Sequence, residues 1–294
     1  MTAAMSPSMS PSTSPRPVEA GGRRLRALVQ GVSGDLPTVV FLSTLGCPLE
    51  VWTRVRQAVA EHTMTISYDR GDVRWNGREA TVPRRADELE DLLTALRVDG
   101  PVVLVGHAYG ALVAEEFART RTGRVAGMVL ADAWRSDELL RLVHQRRAMA
   151  YLETQLQRSL LMTLARPGKH ARFVAFDALP DEQRQEAYRY LQRPLHWRTA
   201  LAELVAWKHS RTAAPEVWPP HRVPVLVVVS QPHVEHDQAR MRMQQELAAS
   251  STRSGLVVIP EATNLEIVTD GRFSPHVAGA VVQALGKDLV AEGA

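Results

Sequence analysis

The sequence predicts an α/β fold, a mainly parallel central sheet flanked by helices on both faces. Three observations lead there. Continuous apolar runs of strand length stand at Pro37–Ser43, Val102–Val105 and Val223–Ser230, and strands without a wet face belong inside a sheet covered on both sides. Between them lie segments of helical spacing, clearest at Asp87–Val98 with Leu89, Leu92, Leu93 and Leu96. Strands alternating with helices imply parallel pairing. Finally, Gly106-His107-Ala108-Tyr109-Gly110 sits where a strand runs straight into a helix. Its two glycines suit a turn too tight for side chains beside a strained central residue.

Taken in order, residues 1–22 form a Ser-, Pro- and Thr-rich leader with no apolar segment. It is expected to be disordered and lacks the hydrophobic core of a secretory signal. Arg24–Gln30 alternates polar and apolar residues, as an edge strand with one wet face does. Pro37–Ser43 and Thr65–Arg70 follow as strands, with a helix over Val51–His62 between them that places Trp52, Val55 and Val59 on one face. After the turn at 108 a helix spans Ala111–Arg121, then strands Gly127–Asp132, Val223–Ser230 and Gly255–Pro260. The last helix opens at Ser274-Pro275, proline being suited to a first helical position.

The interval from Trp134 to about His221 breaks the alternation. It favours helix, most clearly at Arg141–Ala165 and Asp181–Gln192, and gathers Tyr151, Phe173, Phe176, Tyr188, Tyr190, Trp197, Trp207 and Trp218. The chain thus divides into the leader (1–22), a first part of the core (23–134), a helical insertion (135–220) and a second part of the core (221–294).

Composition narrows the function. The 294 residues carry a net charge of +3 and are 45% hydrophobic, and the only lysines are Lys169, Lys208 and Lys287. No dense basic stripe with interleaved aromatics occurs, which argues against a nucleic-acid partner. The single cysteine, Cys47, excludes an intramolecular disulfide framework and fits a reducing, cytoplasmic setting. No apolar run approaches the ~20 residues of a membrane span.

Four stretches together carry a resemblance. They are Leu45-Gly46-Cys47-Pro48-Leu49-Glu50-Val51-Trp52, Tyr68-Asp69-Arg70-Gly71, the Gly106–Gly110 turn, and Leu130-Ala131-Asp132-Ala133. In this order the chain resembles the α/β-hydrolase superfamily, most of all its bacterial esterase-like members, over nearly everything after residue 24. That resemblance implies an α/β-hydrolase fold of about eight strands and makes 135–220 a helical lid. It also places the nucleophile at the centre of Gly-x-Ser-x-Gly, the position of Ala108. The acid position falls on Asp132, with Asp237 as runner-up, and the base position on Asn264. Backbone N–H groups of Leu45 or Thr44 and of Tyr109 would form the oxyanion site, with the Ser43 and Thr44 hydroxyls beside them. Trp134, Tyr151, Trp197 and Trp207 are the candidates to line a substrate pocket.

Alanine has no oxygen with which to attack, and an amide does not accept a proton near neutral pH. His107 is expected to pack, His233 and His236 to lie at the surface, and His276 to face away, so none replaces the base. The favoured expectation is a non-hydrolytic enzyme: a lyase, isomerase or cyclase acting on a largely apolar small molecule such as a polyketide or terpenoid intermediate. No cofactor and no metal are expected. The alternatives are a serine hydrolase inactivated by an engineered change at 108, which leaves Asn264 and Thr44 unexplained, and a non-catalytic binder or pseudoenzyme.

Overall fold

Apolar strands with no polar face have to be covered on both sides, and they occupy the middle of the sheet. The computed structural model describes residues 12–286 apart from 33, 74–76, 143, 167–171 and 211–222. The strands are β1 (Arg16–Ala20), β2 (Arg23–Gln30), β3 (Thr38–Leu42), β4 (Thr65–Asp69), β5 (Val102–His107), β6 (Val125–Ala131), β7 (Val225–Ser230) and β8 (Ser254–Ile259). They form one eight-stranded sheet in the order β1-β2-β4-β3-β5-β6-β7-β8. The β1–β2 and β2–β4 pairs are antiparallel and all the others parallel. Every residue of β5 and of β7 is buried. An α/β-hydrolase fold is the result.

The helices are α1 (Thr53–Ala60), α2 (Val82–Ala95), α3 (Tyr109–Thr120), α4 (Glu138–Arg141), α5 (Gln145–Ala165), α6 (Asp181–Leu191), α7 (Pro194–His209), α8 (Gln231–Val234), α9 (Gln238–Ala248), α10 (Glu266–Thr269) and α11 (Ser274–Ala284). Trp52, Val55, Leu89, Leu92 and Val281 are wholly buried, each large apolar side chain contributing about 1.5–3 kcal/mol. The insertion between β6 and β7 holds α4 to α7, with α5 packed mainly on α7.

Three expectations need correction. Residues 16–20, read as part of a disordered leader, form β1 and take the edge of the sheet outside β2; Val18 packs against the core from there. The helix read at Asp87–Val98 starts at Val82, with Pro83 in its first turn, and has ended before Arg97, whose φ is 57°. The helix read at Arg141–Ala165 begins only at Gln145 as α5, the short α4 having ended at Arg141. No helix among the described residues is long and apolar enough to cross a membrane.

Candidate functional site

The turn between β5 and α3 is fixed by backbone contacts. A Cβ on Gly106 would lie 2.7 Å from Ala111 Cα, and one on Gly110 would lie 2.1 Å from the carbonyl oxygen of Leu42. Both positions therefore need glycine. Between them Ala108 takes φ 46° and ψ −109°, a strained conformation for a residue with a Cβ. Its N–H donates to the Ala131 carbonyl at 2.9 Å, and its own carbonyl accepts from Ala111 N–H at 3.0 Å and Trp134 N–H at 3.2 Å. The elbow is thus built in full around a methyl group that is 1% exposed.

Asp132 follows β6, next to β5 in the sheet, and has φ 43°. Its Oδ1 accepts from Ser230 N–H at 2.8 Å, and its Oδ2 from the Ser230 hydroxyl at 2.6 Å and from Asn264 Nδ2 at 3.0 Å. Burial pushes the carboxyl up to about 6, the hydrogen bonds from Ser230 and Asn264 pulling it back only in part. Asn264, in the loop after β8, also faces His107. Neither nitrogen of that buried ring makes a well-formed hydrogen bond, and burial draws its pKa down to about 4 despite the Asn264 groups. His107 is a neutral packing residue next to Ala108.

The runner-up acid, Asp237, is a helix cap. Its Oδ1 accepts from Arg240 N–H at 2.9 Å at the start of α9, and its Oδ2 lies 2.7 Å from His144 Nε2. His233, expected at the surface, is half-buried against the Arg240 guanidinium, and burial with that neighbouring charge draws its pKa down to about 3. His236 and His276 are exposed.

After β3, where the oxyanion donors were expected, the Ser43 hydroxyl accepts from Trp52 Nε1 at 3.1 Å. The carbonyls of Ser43 and Thr44 accept from Arg70 at 2.5 and 3.3 Å. Among the described residues, neither Leu45 N–H nor Tyr109 N–H is engaged in a hydrogen bond. The Tyr109 ring is buried, with the Arg70 guanidinium 5.1 Å from its centroid and Trp134 edge-on at 6.3 Å. Trp134 in turn stacks on Trp207 of α7 at 4.8 Å. Trp197 packs against the oxyanion loop: a Cβ on Gly46 would lie 3.2 Å from its ring. Tyr151 does not join them, being 67% exposed on α5, and Trp218 lies outside the described residues.

Sequence reasoning missed the charges that join α7 to the core. Glu203 of α7 binds Arg70 through both oxygens at 2.8 and 3.0 Å and lies 2.7 Å from Arg85 of α2. Arg85 also donates to Glu88 at 2.8 Å and to the Gly71 carbonyl at 3.0 Å. Burial acts to raise the Glu203 pKa, but Arg70 and Arg85 outweigh it and hold the carboxyl below its usual range. The small cleft beside Gly46, lined by Ser43, Cys47, Arg70, His196, Thr199 and Glu203, is about 20 Å³. That is room for about one water molecule, and the lining is largely polar. Burial pushes the Cys47 thiol up to about 12 and draws His196 down to about 4, so neither thiolate nor imidazolium forms there near neutral pH. No cluster of metal-ligating side chains occurs among the described residues.

A carboxylate at the end of β6 and a strand-to-helix elbow after β5 stand side by side at the carboxyl ends of the central strands. The chain belongs to the alpha/beta hydrolase family, whose sequence model matches residues 39–270. Among curated proteins it is similar to the uncharacterized protein YqjL of Bacillus subtilis, 26% identical over 139 residues covering 46% of this chain and 52% of that one. It is also similar to a putative carbamate hydrolase, RutD, of Klebsiella pneumoniae, 31% identical over 131 residues covering 40% and 49%. The chain thus spans about half the length of the curated relatives it matches. Among solved structures it is similar to a thermophilic esterase from Thermogutta terrifontis, with TM-score 0.64, 20% identity and coverage of 93% and 98%. A putative alpha/beta hydrolase from Nostoc, ALR0039, gives TM-score 0.72, 15% identity and coverage of 92% and 97%. At these identities the structures share the fold.

Proposed function

We propose that this chain is a member of the family that has given up acyl transfer, with Ala108 and Asn264 standing at the nucleophile and base positions. The observation that carries the reading is the Asn264–Asp132 hydrogen bond of 3.0 Å. An ionised carboxylate only accepts, so the group facing it is the amide nitrogen, which has no proton-accepting lone pair to offer. An enzyme silenced by one change at 108 would keep a histidine in that place. What is left for chemistry is positioning and the unused donors of Leu45 and Tyr109, which suit lyase, isomerase or cyclase reactions on a small organic molecule in the cytoplasm.

A second reading, a pseudoenzyme acting through binding alone, is favoured by the buried Arg70–Glu203–Arg85 cluster that holds α7 down. The test is turnover of a series of activated esters. Ala108→Ser alone is expected to stay at background, because no base takes the serine proton. Ala108→Ser with Asn264→His is expected to exceed either single change by at least about tenfold, nucleophile and base acting as a unit. Substantial turnover by Ala108→Ser alone would place the base elsewhere and remove the proposal.

A further inference from the structure

Away from the elbow, a cleft of about 330 Å³ lies between β2, α1 and α6, near the lower end of the roughly 300–1,000 Å³ usual for ligand pockets. Neither Ala108, Asp132 and Asn264 nor the residues at 43–45 line it. Leu28 and Leu49, both buried, give it an apolar wall, and the chain at 13–15 forms one side.

One charge at this cleft is out of place. Arg56 of α1 is 2% exposed. Its Nε donates to Gln30 Oε1 at 2.8 Å and its Nη1 to the Ser67 hydroxyl at 3.0 Å. Its Nη2 has no hydrogen-bond partner among the described residues, and the guanidinium forms no ion pair there. The neighbouring Glu50 is taken by Arg26, which also binds Asp69 at 2.6 Å and Glu186 at 3.1 Å. Burial draws the Arg56 pKa down to about 10; the charge of Glu50 opposes this only in part, and Arg26 adds to it. A buried cation is costly unless a countercharge meets it. Beside it stands a second unused donor. A guanidinium only donates, so the Gln30 atom facing Arg56 is the amide oxygen, and Gln30 Nε2 is left without a partner among the described residues.

We propose that this cleft binds a small monocarboxylate. Its carboxylate accepts from Arg56 Nη2 and Gln30 Nε2, and its apolar body lies against Leu28 and Leu49. A single charge is specified because a single guanidinium lacks a partner: Arg189, which also lines the cleft, is matched by Glu186. Glu50 and Glu182 stand in the same wall and repel a second negative charge, which disfavours a phosphate dianion.

The test is nuclear magnetic resonance of the full chain titrated with hexanoate, with hexanamide and inorganic phosphate as controls. Hexanoate is expected to shift the Gln30 side-chain amide and the backbone amides of Arg56 and Gln57. Hexanamide is expected to bind roughly 10- to 150-fold more weakly, the worth of hydrogen bonds to a charged group. Gln30→Glu supplies the missing countercharge from within the chain with almost no change in size. It is expected to raise the thermal midpoint and to weaken hexanoate at least about tenfold. A guanidinium with a merely structural role would give the first effect and not the second. If Gln30→Glu fails to fold, the native titrations decide. Absence of hexanoate binding, equal binding of hexanamide, or displacement of hexanoate by phosphate would overturn the proposal. So would shifts gathered at Ala108 and Asn264 instead, or an unchanged hexanoate affinity in Gln30→Glu.

Discussion

Asp132 and Asn264, at the positions we propose for the acid and the former base, are joined by one hydrogen bond of 3.0 Å. Burial lifts the Asp132 carboxyl to about 6, above its unfolded value of roughly 4. The fold therefore favours the protonated form: this contribution to stability is complete below about pH 4 and is lost as pH rises through about 6. Asn264→Leu removes a donor to Oδ2 and lifts the carboxyl further. Its stability should accordingly fall more steeply than the native protein's between about pH 5 and about pH 8, read as urea midpoints. Equal slopes would mean that the amide does not act on the carboxylate. At the elbow, Gly110→Ala drives a Cβ to 2.1 Å from the Leu42 carbonyl. Either β3 or α3 must shift, and a loss of more than about 4 kcal/mol is expected in denaturant unfolding. A variant with near-native stability would mean that the elbow is looser than its contacts imply.

At the scale of elements, α7 is held by charge as much as by its tryptophans. Glu203→Gln leaves the Arg70 and Arg85 guanidiniums buried around a neutral amide and is expected to cost about 3–5 kcal/mol, measured by denaturant unfolding. A cost below about 1 kcal/mol would show that water reaches the pair. The sequence made some of these elements plain and hid others, for physical reasons. β3, β5 and β7 are continuous apolar runs, and the glycines around 108 mark the elbow by their spacing. Helix α7 was hidden because it buries Thr199 and Glu203 along with Trp197, Leu204 and Trp207, which erases a clean apolar stripe. β1 was hidden because an edge strand guarded by Pro17 and two charges reads like a leader. Arg70 was visible within Tyr68-Asp69-Arg70-Gly71, but its partner Glu203 lies 133 positions away. No local pattern records that pairing.

Across the whole molecule, the eight-stranded sheet and the β5–α3 elbow are those of a hydrolase, while the chemistry belongs to the few side chains set at the strand ends. A scaffold keeps its geometry when its reactive groups are exchanged, because glycines and backbone contacts hold the turn whatever the central side chain is. The most direct measurement is intact-mass analysis after incubation with a fluorophosphonate, which phosphonylates an activated serine with loss of fluoride. The native chain and Ala108→Ser are expected to stay unmodified, and Ala108→Ser with Asn264→His to gain one phosphonyl group at residue 108. Phosphonylation of the native chain, or of Ala108→Ser at the rate of the double variant, would contradict the account, because a working base would then be present without residue 264.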